Sequence, residues 1–379
     1  EKPRPIENID EVMIGDQIVR RRLGKKAPKA LIRRSDYYMN NRKQFINFIN
    51  SLFYQYREEL REEGENEAKC DGMASGGDFV PMTHQKIIRD YVNMYTPYRG
   101  VMLFHGLGAG KTCSSIMVAE GLKDGGQVII MTPASLRVNY IEELKKCGDH
   151  IYRKNQFWEF ISMGDNPELV QVLSEALNLP EDFVQKQGGA WVVNVKKPAN
   201  FDDLLTPQLQ EIDKQINAMI LQKYKFINYN GMRMSGWNEL IDDGKGGTKN
   251  PFDNATIIVD EAHNLVGRII NKLEQENALS RKIYDNLMNA QNARIILLTG
   301  TPIINHPNEI AVMFNIIRGK IKTWEFKLEI TGTGTVNQDT IIDILKRSRG
   351  TKNLFDYIEY NATTTTLRVT RNPMGFYNS

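Results

Sequence analysis

A glycine-rich stretch at residues 103–115, Leu-Phe-His-Gly-Leu-Gly-Ala-Gly-Lys-Thr-Cys-Ser-Ser, constrains this chain more than any other segment. An apolar run from Val101 to Phe104 precedes the glycines, and a helix-like run from Cys113 to Leu122 follows them. Strand, glycine loop, Lys-Thr and helix in this order are typical of a phosphate-binding loop, whose backbone N–H groups cradle phosphates. A glycine-rich turn in an unrelated α/β domain is the alternative.

The side chains of this loop predict nucleotide binding. We expect Lys111 to reach the β- and γ-phosphates of ATP, and the Thr112 hydroxyl to ligate Mg²⁺. The usual pattern has glycine six positions before the lysine, where this chain has His105. The loop residues expected to contact the nucleotide are Gly106, Gly108, Ala109, Gly110, Lys111, Thr112 and Cys113.

Composition bounds the class of protein. The 379 residues can hold two domains, or one large domain with additions. No apolar run approaches the ~20 residues of a membrane helix, and no secretory signal is present, so we expect a soluble intracellular protein. The wide spacing of Cys70, Cys113 and Cys147 predicts reduced thiols rather than a disulfide framework or a zinc site. Because the chain begins at Glu1, we expect it to be processed or a piece of a longer protein.

The N-terminal region combines a basic segment with a predicted helix. The net charge of +3 does not by itself indicate a nucleic-acid partner. Residues 17–35, however, contain eight basic residues and no acidic one. An arm that binds phosphate backbones and a solvated linker both remain open for this segment. Apolar spacing predicts an amphipathic helix over 36–63, and residues 58–77 have the composition of a linker.

Apolar strands alternate with helical patterns from about residue 79. After the glycine loop, buried strands are predicted at 127–131, 225–230, 256–260 and 294–299, with Ser135 capping a helix over 136–147 and a long helix ending near 289. This alternation predicts a parallel sheet with helices on both faces, and ligands bind at the carboxyl ends of such strands. Residues 150–224 are long for one crossover and predict an insertion.

Carboxylates after the third of these strands predict the hydrolytic chemistry. Asp260 is expected to hold Mg²⁺ together with Thr112, and Glu261 to orient or deprotonate the attacking water. With Lys111, they form the predicted catalytic set. An Asp-Glu pair after a strand is a weak signal alone, and the glycine loop upstream strengthens it.

Other strand ends supply supporting polar groups. Gln85 can bond the adenine edge, although a surface glutamine is the alternative. Thr299 and Thr301 offer hydroxyls that can sense phosphate occupancy, and His263 is expected to couple the nucleotide site to neighbouring loops. The loop after the strand at 127–131 is predicted to contact a nucleic-acid backbone, with an ordinary strand–helix turn as the alternative. Its candidate residues are Thr132, Pro133, Ser135 and Arg137.

Four segments together resemble superfamily 2 helicases of the DEAH-box-like kind. They are His-Gly-Leu-Gly-Ala-Gly-Lys-Thr, Met-Thr-Pro-Ala-Ser-Leu-Arg, Val-Asp-Glu-Ala-His and Leu-Thr-Gly-Thr-Pro, in the order of motifs I, Ia, II and III. The segments 98–115, 142–149 and 370–376 are similar to helicase-like ATPases of nucleocytoplasmic large DNA viruses. That branch includes the poxvirus early transcription factor small subunit and nucleoside triphosphatase I.

The resemblance implies a RecA-like P-loop NTPase lobe that uses ATP and Mg²⁺ and engages nucleic acid, DNA in preference to RNA. It also implies a role in viral transcription or genome handling, viral RNA polymerase as a candidate partner, and a location in the virion or host cytoplasm. Superfamily 2 enzymes carry an arginine finger in a Gln-x-x-Gly-Arg-x-x-Arg motif of a second RecA lobe. No such motif follows Pro302, so we expect that lobe to be absent from this chain.

These observations predict an α/β protein of three parts. They are a basic arm, helix and linker at 1–78, a RecA-like lobe at 79–320 with its insertion at about 150–224, and a small α+β module at 321–379. The main hypothesis is a helicase or translocase lobe. An ATP-switched transcription initiation or termination factor subunit that binds DNA and RNA polymerase without strand separation is the alternative, and a catalytically silent scaffold is a further one.

Overall fold

Short apolar strands build the centre of the protein. The computed structural model describes residues 9–23, 42–67, 81–92, 98–106, 108, 110–121, 127–164, 167–329, 336–347, 355 and 357–371. The strands in these ranges are β1 (Met13–Ile14), β2 (Gln17–Ile18), β3 (Gly100–Phe104), β4 (Gln127–Met131), β5 (Trp158–Ser162), β6 (Gly189–Val193), β7 (Tyr224–Ile227), β8 (Ala255–Val259), β9 (Arg294–Thr299), β10 (Lys322–Lys327), β11 (Tyr357–Asn361) and β12 (Thr366–Arg371).

Helices connect and cover these strands. They are α1 (Val19–Leu23), α2 (Arg42–Phe53), α3 (Tyr56–Glu67), α4 (Thr83–Asp90), α5 (Lys111–Gly121), α6 (Arg137–Cys147), α7 (Pro167–Leu177), α8 (Glu181–Gln187), α9 (Thr206–Lys223), α10 (Met234–Ile241), α11 (Ala262–Ile270), α12 (Leu279–Asn289), α13 (Asn308–Arg318) and α14 (Gln338–Arg347). None of the helices in the described ranges has both the length and the apolar content that crossing a bilayer requires.

A five-stranded parallel sheet has the order β3-β9-β8-β4-β7. β9 is the last of these five strands in the chain. It nevertheless lies between β3, which precedes the glycine loop, and β8, which ends just before Asp260. Parallel neighbours place their carboxyl ends at the same edge of the sheet. The predicted phosphate and metal ligands thus meet at one edge although they are far apart in the chain.

Alternation along the strands divides the core between the two faces of the sheet. Val128 and Ile130 belong to the core under α5, α6 and α9, whereas Ile129 and Met131 belong to the core under α11, α12 and α13. β8 and β9 divide their residues between the same two cores, because neighbouring side chains of a strand point to opposite faces. The predicted α/β class, a parallel sheet covered by helices on both faces, is confirmed.

Residues 158–193 form the centre of the predicted insertion. β5 and β6 pair antiparallel, and α7 and α8 connect them. Residues 9–23 pack against this unit: Arg22 is fully buried, and its guanidinium donates to the carbonyl of Ile14 and to the carboxylate of Glu159. Neither a phosphate-binding arm nor a solvated linker describes Arg22, because its charge is neutralised inside the protein. The rest of the basic segment, 24–35, lies outside the described residues.

Several helix boundaries differ from the sequence prediction. The helix expected to end near 289 is two helices, α11 and α12, because residues 271–278 do not continue the apolar stripe of α11. The helix predicted over 36–63 is likewise α2 and α3, separated by a turn at 54–55, and α3 extends into the predicted linker. α3 is held against α4 by Lys86, which pairs with Glu59 at 2.8 Å.

The C-terminal segments form a small α+β unit. β12 pairs antiparallel with both β10 and β11, and α14 contributes Ile341 to a cluster with Ile358 and Leu367. The Thr363–Thr366 run predicted to lie in a strand or hairpin forms the turn between β11 and β12 and the start of β12. The outer face of β10 is exposed at Trp324 and Phe326.

Candidate active site

The glycine loop leaves β3 at Phe104 and enters α5 at Lys111. Gly108 and Gly110 have φ values of +79° and +69°, a region of backbone conformation in which glycine is the least strained residue. A Cβ on Gly106 or Gly108 would meet nothing within 4 Å, so the loop surface is open to a ligand. Ala109, a predicted nucleotide contact, lies outside the described residues.

Lys111 lies over this loop at the amino end of α5. Its Nζ donates to the carbonyl oxygens of His105 at 2.9 Å and Gly106 at 3.0 Å. A Cβ built on Gly300, at the end of β9, would lie 3.6 Å from the same Nζ. The ammonium group is thus held between the glycine loop and the β9 strand end, and the loop carbonyls occupy donors that a phosphate would otherwise take.

His105 stands at the position where the usual motif has glycine. Its ring contacts that of His84 edge-on, with centroids 5.6 Å apart. Burial lowers the pKa of His105, and the nearby His84 and Lys111 lower it further. The imidazole is therefore neutral at physiological pH, and the charge of the loop comes from Lys111.

Asp260 follows β8 and is only 9% exposed. Its carboxylate accepts hydrogen bonds from the hydroxyl of Thr132 at 3.3 Å and from its neighbour's backbone N–H at 3.1 Å. Burial and, to a smaller extent, the charge of Glu261 raise its pKa to about 6, against the opposing effects of its two hydrogen bonds and of Lys111. A carboxylate removed from water in this way is suited to bind a metal cation, which would stabilise its ionised form.

Glu261 has a left-handed backbone, with φ of +47°. A non-glycine residue in this region costs about 1–2 kcal/mol, so the surrounding contacts must hold it there. α11 begins at the next residue, and the Glu261 side chain lies 3.4 Å from Nδ1 of His263. The Glu261 carboxylate thus lies within reach of His263, whose Nδ1 also contacts Thr299 at the β9 strand end.

His263 connects this turn to the threonines after β9. Its Nδ1 lies 3.0 Å from Oγ1 of Thr299 and 3.4 Å from Oγ1 of Thr301. The Thr301 N–H also donates to the Thr299 hydroxyl at 3.1 Å. These three residues, predicted to act in coupling, lie together, and the Glu261 carboxylate is 3.4 Å from Nδ1 of His263.

Tyr229 is a site residue that the sequence did not reveal. Its hydroxyl donates to the carbonyl oxygens of Asp260 at 2.9 Å and Glu261 at 3.1 Å, and the side chain is 3% exposed. It therefore fixes the backbone of the strained turn from the β7 side of the sheet. The strand predicted over 225–230 includes Tyr229, whereas β7 ends at Ile227, so only the order of the strands in the structure identifies the role of Tyr229.

Gln85 lies in the first turn of α4, against the glycine loop. Its Oε1 accepts from the N–H of Met82 at 3.1 Å, and its Nε2 donates to the carbonyl of Gly110 at 3.2 Å. The residue is 2% exposed, so it is not the surface glutamine that the sequence allowed. Its placement next to Gly110 is compatible with a nucleotide contact, and the adenine assignment remains a prediction.

The predicted nucleic-acid loop is divided between buried and exposed residues. Thr132 is fully buried and donates to Asp260, and Pro133 is also buried. The strand end turns the side chains of these two residues into the protein, and their contact with nucleic acid stays a prediction. Ser135 is exposed, and Arg137 is half-buried with its guanidinium 5.3 Å above the ring of Phe226. Residues 134–136 form a 3-10 turn, and Leu136 rather than Ser135 is the N-cap of α6.

Two of the three cysteines are joined. Cys113, in the first turn of α5, forms a disulfide with Cys147 at the end of α6. The prediction of reduced, unpaired thiols is wrong for this pair, because the packing of α5 on α6 brings together residues 34 positions apart. With its sulfur engaged, Cys113 can contact a nucleotide only through its backbone. Glu143 lies close to both sulfurs, but disulfide sulfurs do not provide the thiolates of a metal site.

Thr112 completes the predicted metal ligands. It is half-buried at the start of α5, and its carbonyl accepts from the hydroxyl of Ser115 at 2.7 Å. Ser115 is in turn 2.8 Å from the hydroxyl of Tyr140 on α6. The first turn of α5 is therefore anchored to α6 by hydrogen bonds as well as by the disulfide.

Comparison with known proteins identifies the family. The family model of the SNF2-related domain matches residues 39–348, which is most of the chain. The chain belongs to the SNF2-related domain family. The match includes the glycine loop, Asp260, Glu261 and the β9 strand end, so the residues brought together at the carboxyl edge of the sheet all lie within the SNF2-related domain.

Viral proteins are among the relatives of this SNF2-related domain. A protein named as an ATP-dependent RNA helicase of Acanthamoeba polyphaga mimivirus is 24% identical over 74% of this chain and 40% of its own length. A protein named as a helicase of Invertebrate iridescent virus 3 is 28% identical over 72% of this chain and 24% of its length. A termination factor NPH-I homologue of African swine fever virus is 26% identical over 59% of this chain and 23% of its length.

The chain thus spans less than half the length of these curated relatives. Among solved structures, the Sulfolobus solfataricus SWI2/SNF2 ATPase core in complex with double-stranded DNA matches with a TM-score of 0.30 and 16% identity. That match covers 62% of this chain and 34% of the other.

Proposed function

We propose that this SNF2-related domain is the ATP-binding lobe of a nucleic-acid-dependent ATPase, a helicase or translocase of viral origin. The observation that carries the proposal is the strand order β3-β9-β8. This order brings Lys111, the β9 strand end and Asp260 to one edge of the sheet, where a nucleoside triphosphate can contact all three. The viral relatives, named as helicases and as a termination factor, support the proposal.

The residues present fit ATP with Mg²⁺. The open glycine loop and Lys111 would bind the phosphates, and the Thr112 hydroxyl and the Asp260 carboxylate would hold the metal. Bound Mg²⁺ would neutralise the charge that develops on the phosphates. Glu261 is proposed to accept the proton of the attacking water, since its carboxylate lies 3.4 Å from the ring of His263, which contacts Thr299 at the β9 strand end.

We propose that ATP hydrolysis changes the conformation of neighbouring loops through contacts at the β9 strand end. His263 contacts Glu261, Thr299 and Thr301, so a change in the Glu261 carboxylate can reach the loop after β9 through this one imidazole. We propose that a second RecA lobe, DNA in preference to RNA, and viral RNA polymerase are its partners, and that it acts in the virion or host cytoplasm. Ser135 and Arg137 remain the proposed phosphate-backbone contacts, and the division at residues 78/79 and 320/321 remains a proposal.

Two variants test the assigned roles. Lys111→Ala should abolish binding of ATP with Mg²⁺ in a calorimetric titration. Glu261→Gln should retain binding and lose hydrolysis, because it keeps the shape of the side chain and removes the base. Lys327→Ala, at an exposed lysine on β10, is the matched control and should leave both unchanged. Equal loss of hydrolysis in the first two variants with no difference in binding would contradict the assignment.

A transcription factor subunit that uses ATP as a conformational switch is the second candidate. The similarity to a termination factor NPH-I homologue favours it. A strand-separation assay on the complete protein distinguishes the two, since a helicase releases the displaced strand during ATP hydrolysis and a switch does not. Vigorous ATP hydrolysis in that protein would exclude the silent scaffold.

A further inference from the structure

A second cavity, of about 390 Å³, lies in the insertion and away from the nucleotide site. β5 contributes Phe160 and β6 contributes Trp191. α8 contributes Phe183, and α9 contributes Glu211. Its volume falls within the range of pockets that bind small ligands or single side chains. Nothing in the proposed nucleotide chemistry uses these residues.

Aromatic rings form the walls of this cavity. The rings of Phe160 and Trp191 are 5.5 Å apart and inclined at 64°, so they present two walls at a wide angle. Phe160 is 39% exposed, which is high for a large apolar side chain, whereas Trp191 is 6% exposed. Phe160 therefore lies at the mouth of the cavity, and Trp191 lies deeper within it.

Hydrogen bonds hold Trp191 in place before any ligand binds. The side chain of Gln215 accepts from the Trp191 N–H at 2.8 Å and donates to its carbonyl at 2.7 Å. The indole Nε1 donates to the Glu211 carboxylate at 3.1 Å. This bond also fixes the carboxylate beside the aromatic walls. The site is thus pre-organised, which reduces the entropy lost on binding.

The charge of the lining favours a cation. Among the described residues that line the cavity, Glu211 is the only charged one, and the other polar members are amides such as Gln187 and Gln208. Lys186, next to Gln187 in the chain, is not part of the lining and pairs with Asp182 at 3.3 Å. Aromatic faces and a carboxylate both attract a cation, and both lack the donors that an anion requires.

We propose that this cavity binds a cationic side chain, arginine or lysine, of a partner protein. The charged group would lie against the rings of Phe160 and Trp191 and pair with the Glu211 carboxylate. An arginine could in addition donate to the amide oxygens of Gln187 and Gln208, because its guanidinium has five donors and stacks on aromatic rings. The apolar walls would contact the methylene groups of the side chain.

Nucleic acid fits this cavity less well, although bases also stack on aromatic rings. Single-stranded nucleic acid is bound where basic groups follow the backbone beside the aromatic residues. Here the lining has a carboxylate and no basic side chain among the described residues, so a phosphate close to the rings would be repelled. The negative charge of Glu211 therefore favours a cationic side chain over nucleic acid in this cavity.

Titration of the whole chain with short blocked peptides tests the proposal. The probes are a peptide with one arginine, the same peptide with lysine, and the same peptide with citrulline, which keeps the shape of arginine without its charge. The ¹⁵N-labelled indole N–H signal of Trp191 reports binding and is assigned by its loss in Trp191→Phe. We expect the arginine or lysine peptide to shift this signal saturably and the citrulline peptide to leave it unchanged.

Two variants check the source of the affinity. Glu211→Gln keeps an acceptor for the indole N–H and should weaken cation binding by about fivefold or more. Phe160→Leu should weaken it to a similar extent, since it keeps an apolar residue and removes the ring. Glu239→Gln, at an exposed carboxylate on α10 outside the cavity lining, is the control and should have no effect.

Three results would overturn the proposal. They are equal binding of the citrulline peptide, no saturable shift with any peptide, and a shift produced instead by a single-stranded oligonucleotide that grows stronger in Glu211→Gln. None of these results depends on ATP binding, so the failure of this proposal and the failure of the proposed ATPase function are separate outcomes.

Discussion

At the scale of single residues, the candidate site contains two neighbouring residues whose burial or backbone conformation costs free energy in the folded chain. Asp260 is a carboxyl removed from water, and Glu261 follows it with a left-handed backbone. Thr132 and Tyr229 support the pair, the first through the Asp260 carboxylate and the second through both backbone carbonyls. Strain of this kind persists where surrounding contacts over-determine it.

Asp260→Asn should make the nucleotide-free protein more stable at neutral pH. The pKa of Asp260 is about 6 in the folded chain and 3.8 ordinarily. Between these values the unfolded chain has lost the proton that the folded chain retains, so the free energy of unfolding falls as the pH rises through this window. Since one pKa unit corresponds to about 1.4 kcal/mol, the asparagine should add about 1–3 kcal/mol at neutral pH and little at about pH 4.

Chemical denaturation of both proteins across this pH range measures the effect. Asp202→Asn, at an exposed carboxylate, is the control and should not show the same dependence on pH. A stability difference between Asp260→Asn and the parent that is the same at both ends of the range would contradict the raised pKa.

Tyr229→Phe should impair catalysis more than nucleotide binding. It removes the hydroxyl that donates to the carbonyls of Asp260 and Glu261, of which the second keeps the N–H of Asn264 as a donor, and this costs about 1–3 kcal/mol of stability. It also frees the turn that positions Glu261, so ATP turnover should fall by about tenfold or more while the dissociation constant for ATP changes little.

Tyr224→Phe provides the matched control for this change. Tyr224 begins the strand after which Tyr229 lies, and its hydroxyl bonds to Glu120 at the opposite edge of the sheet. It should lose stability without a specific loss of turnover. Equal turnover losses in the two variants, relative to their stability, would show that Tyr229 has no positioning role.

At the scale of elements, the first turn of α5 is attached to α6 in two ways. The disulfide joins Cys113 to Cys147, and the hydroxyl of Ser115, two residues further along α5, bonds to the hydroxyl of Tyr140. Both contacts lie directly behind Lys111 and Thr112, so the packing of two helices determines how firmly the glycine loop is held. The glycine loop is thus attached, through the first turn of α5, to α6.

Reduction of the disulfide should lower the free energy of unfolding by about 2–4 kcal/mol, because the bond closes a loop between residues 34 positions apart. Thermal unfolding with and without a dithiol reductant measures the change. Cys147→Ser should reproduce the reduced value and become insensitive to the reductant. Cys70→Ser is the control, and loss of the reductant effect in that variant instead would contradict the pairing.

At the scale of the whole molecule, the order of five strands brings the candidate site together. β9 separates β3 from β8, so the glycine loop and Asp260 approach each other from both sides of the β9 strand end. The described residues of the site all lie at the carboxyl edge of the sheet. That geometry suits a lobe whose partner closes over the nucleotide.

Residues 1–379 alone should bind ATP with Mg²⁺ and hydrolyse it slowly. The Gln-x-x-Gly-Arg-x-x-Arg motif of the arginine finger is not among them, and a missing finger costs about 10³–10⁵ in rate. Steady-state phosphate release with and without double-stranded DNA measures this. Turnover of several per second, stimulated by DNA, would contradict the prediction, and Glu261→Gln is the control for background hydrolysis.

The sequence determined the local parts of this protein. Glycines, Lys111 and Thr112 between an apolar strand and a helix predict their own local structure, because such patterns depend on neighbours within a few residues. The alternating strands and helices likewise predicted the α/β class, and the positions of Asp260 and Glu261 after β8 followed from a buried apolar run. The prediction of one long helix ending near 289 was wrong at residues 271–278, where the apolar spacing of α11 ends and the helix stops.

Only the tertiary structure decided which distant residues meet. The sequence could not show that Tyr229 would reach the carbonyls of Asp260 and Glu261, or that Cys113 would reach Cys147, because these contacts depend on strand order and helix packing. It also could not show that Thr132 is buried, since its exposure depends on which strand lies next to β4. The chemical group at each position is given by the sequence. Its burial and its contacts with distant residues depend on how the strands and helices pack.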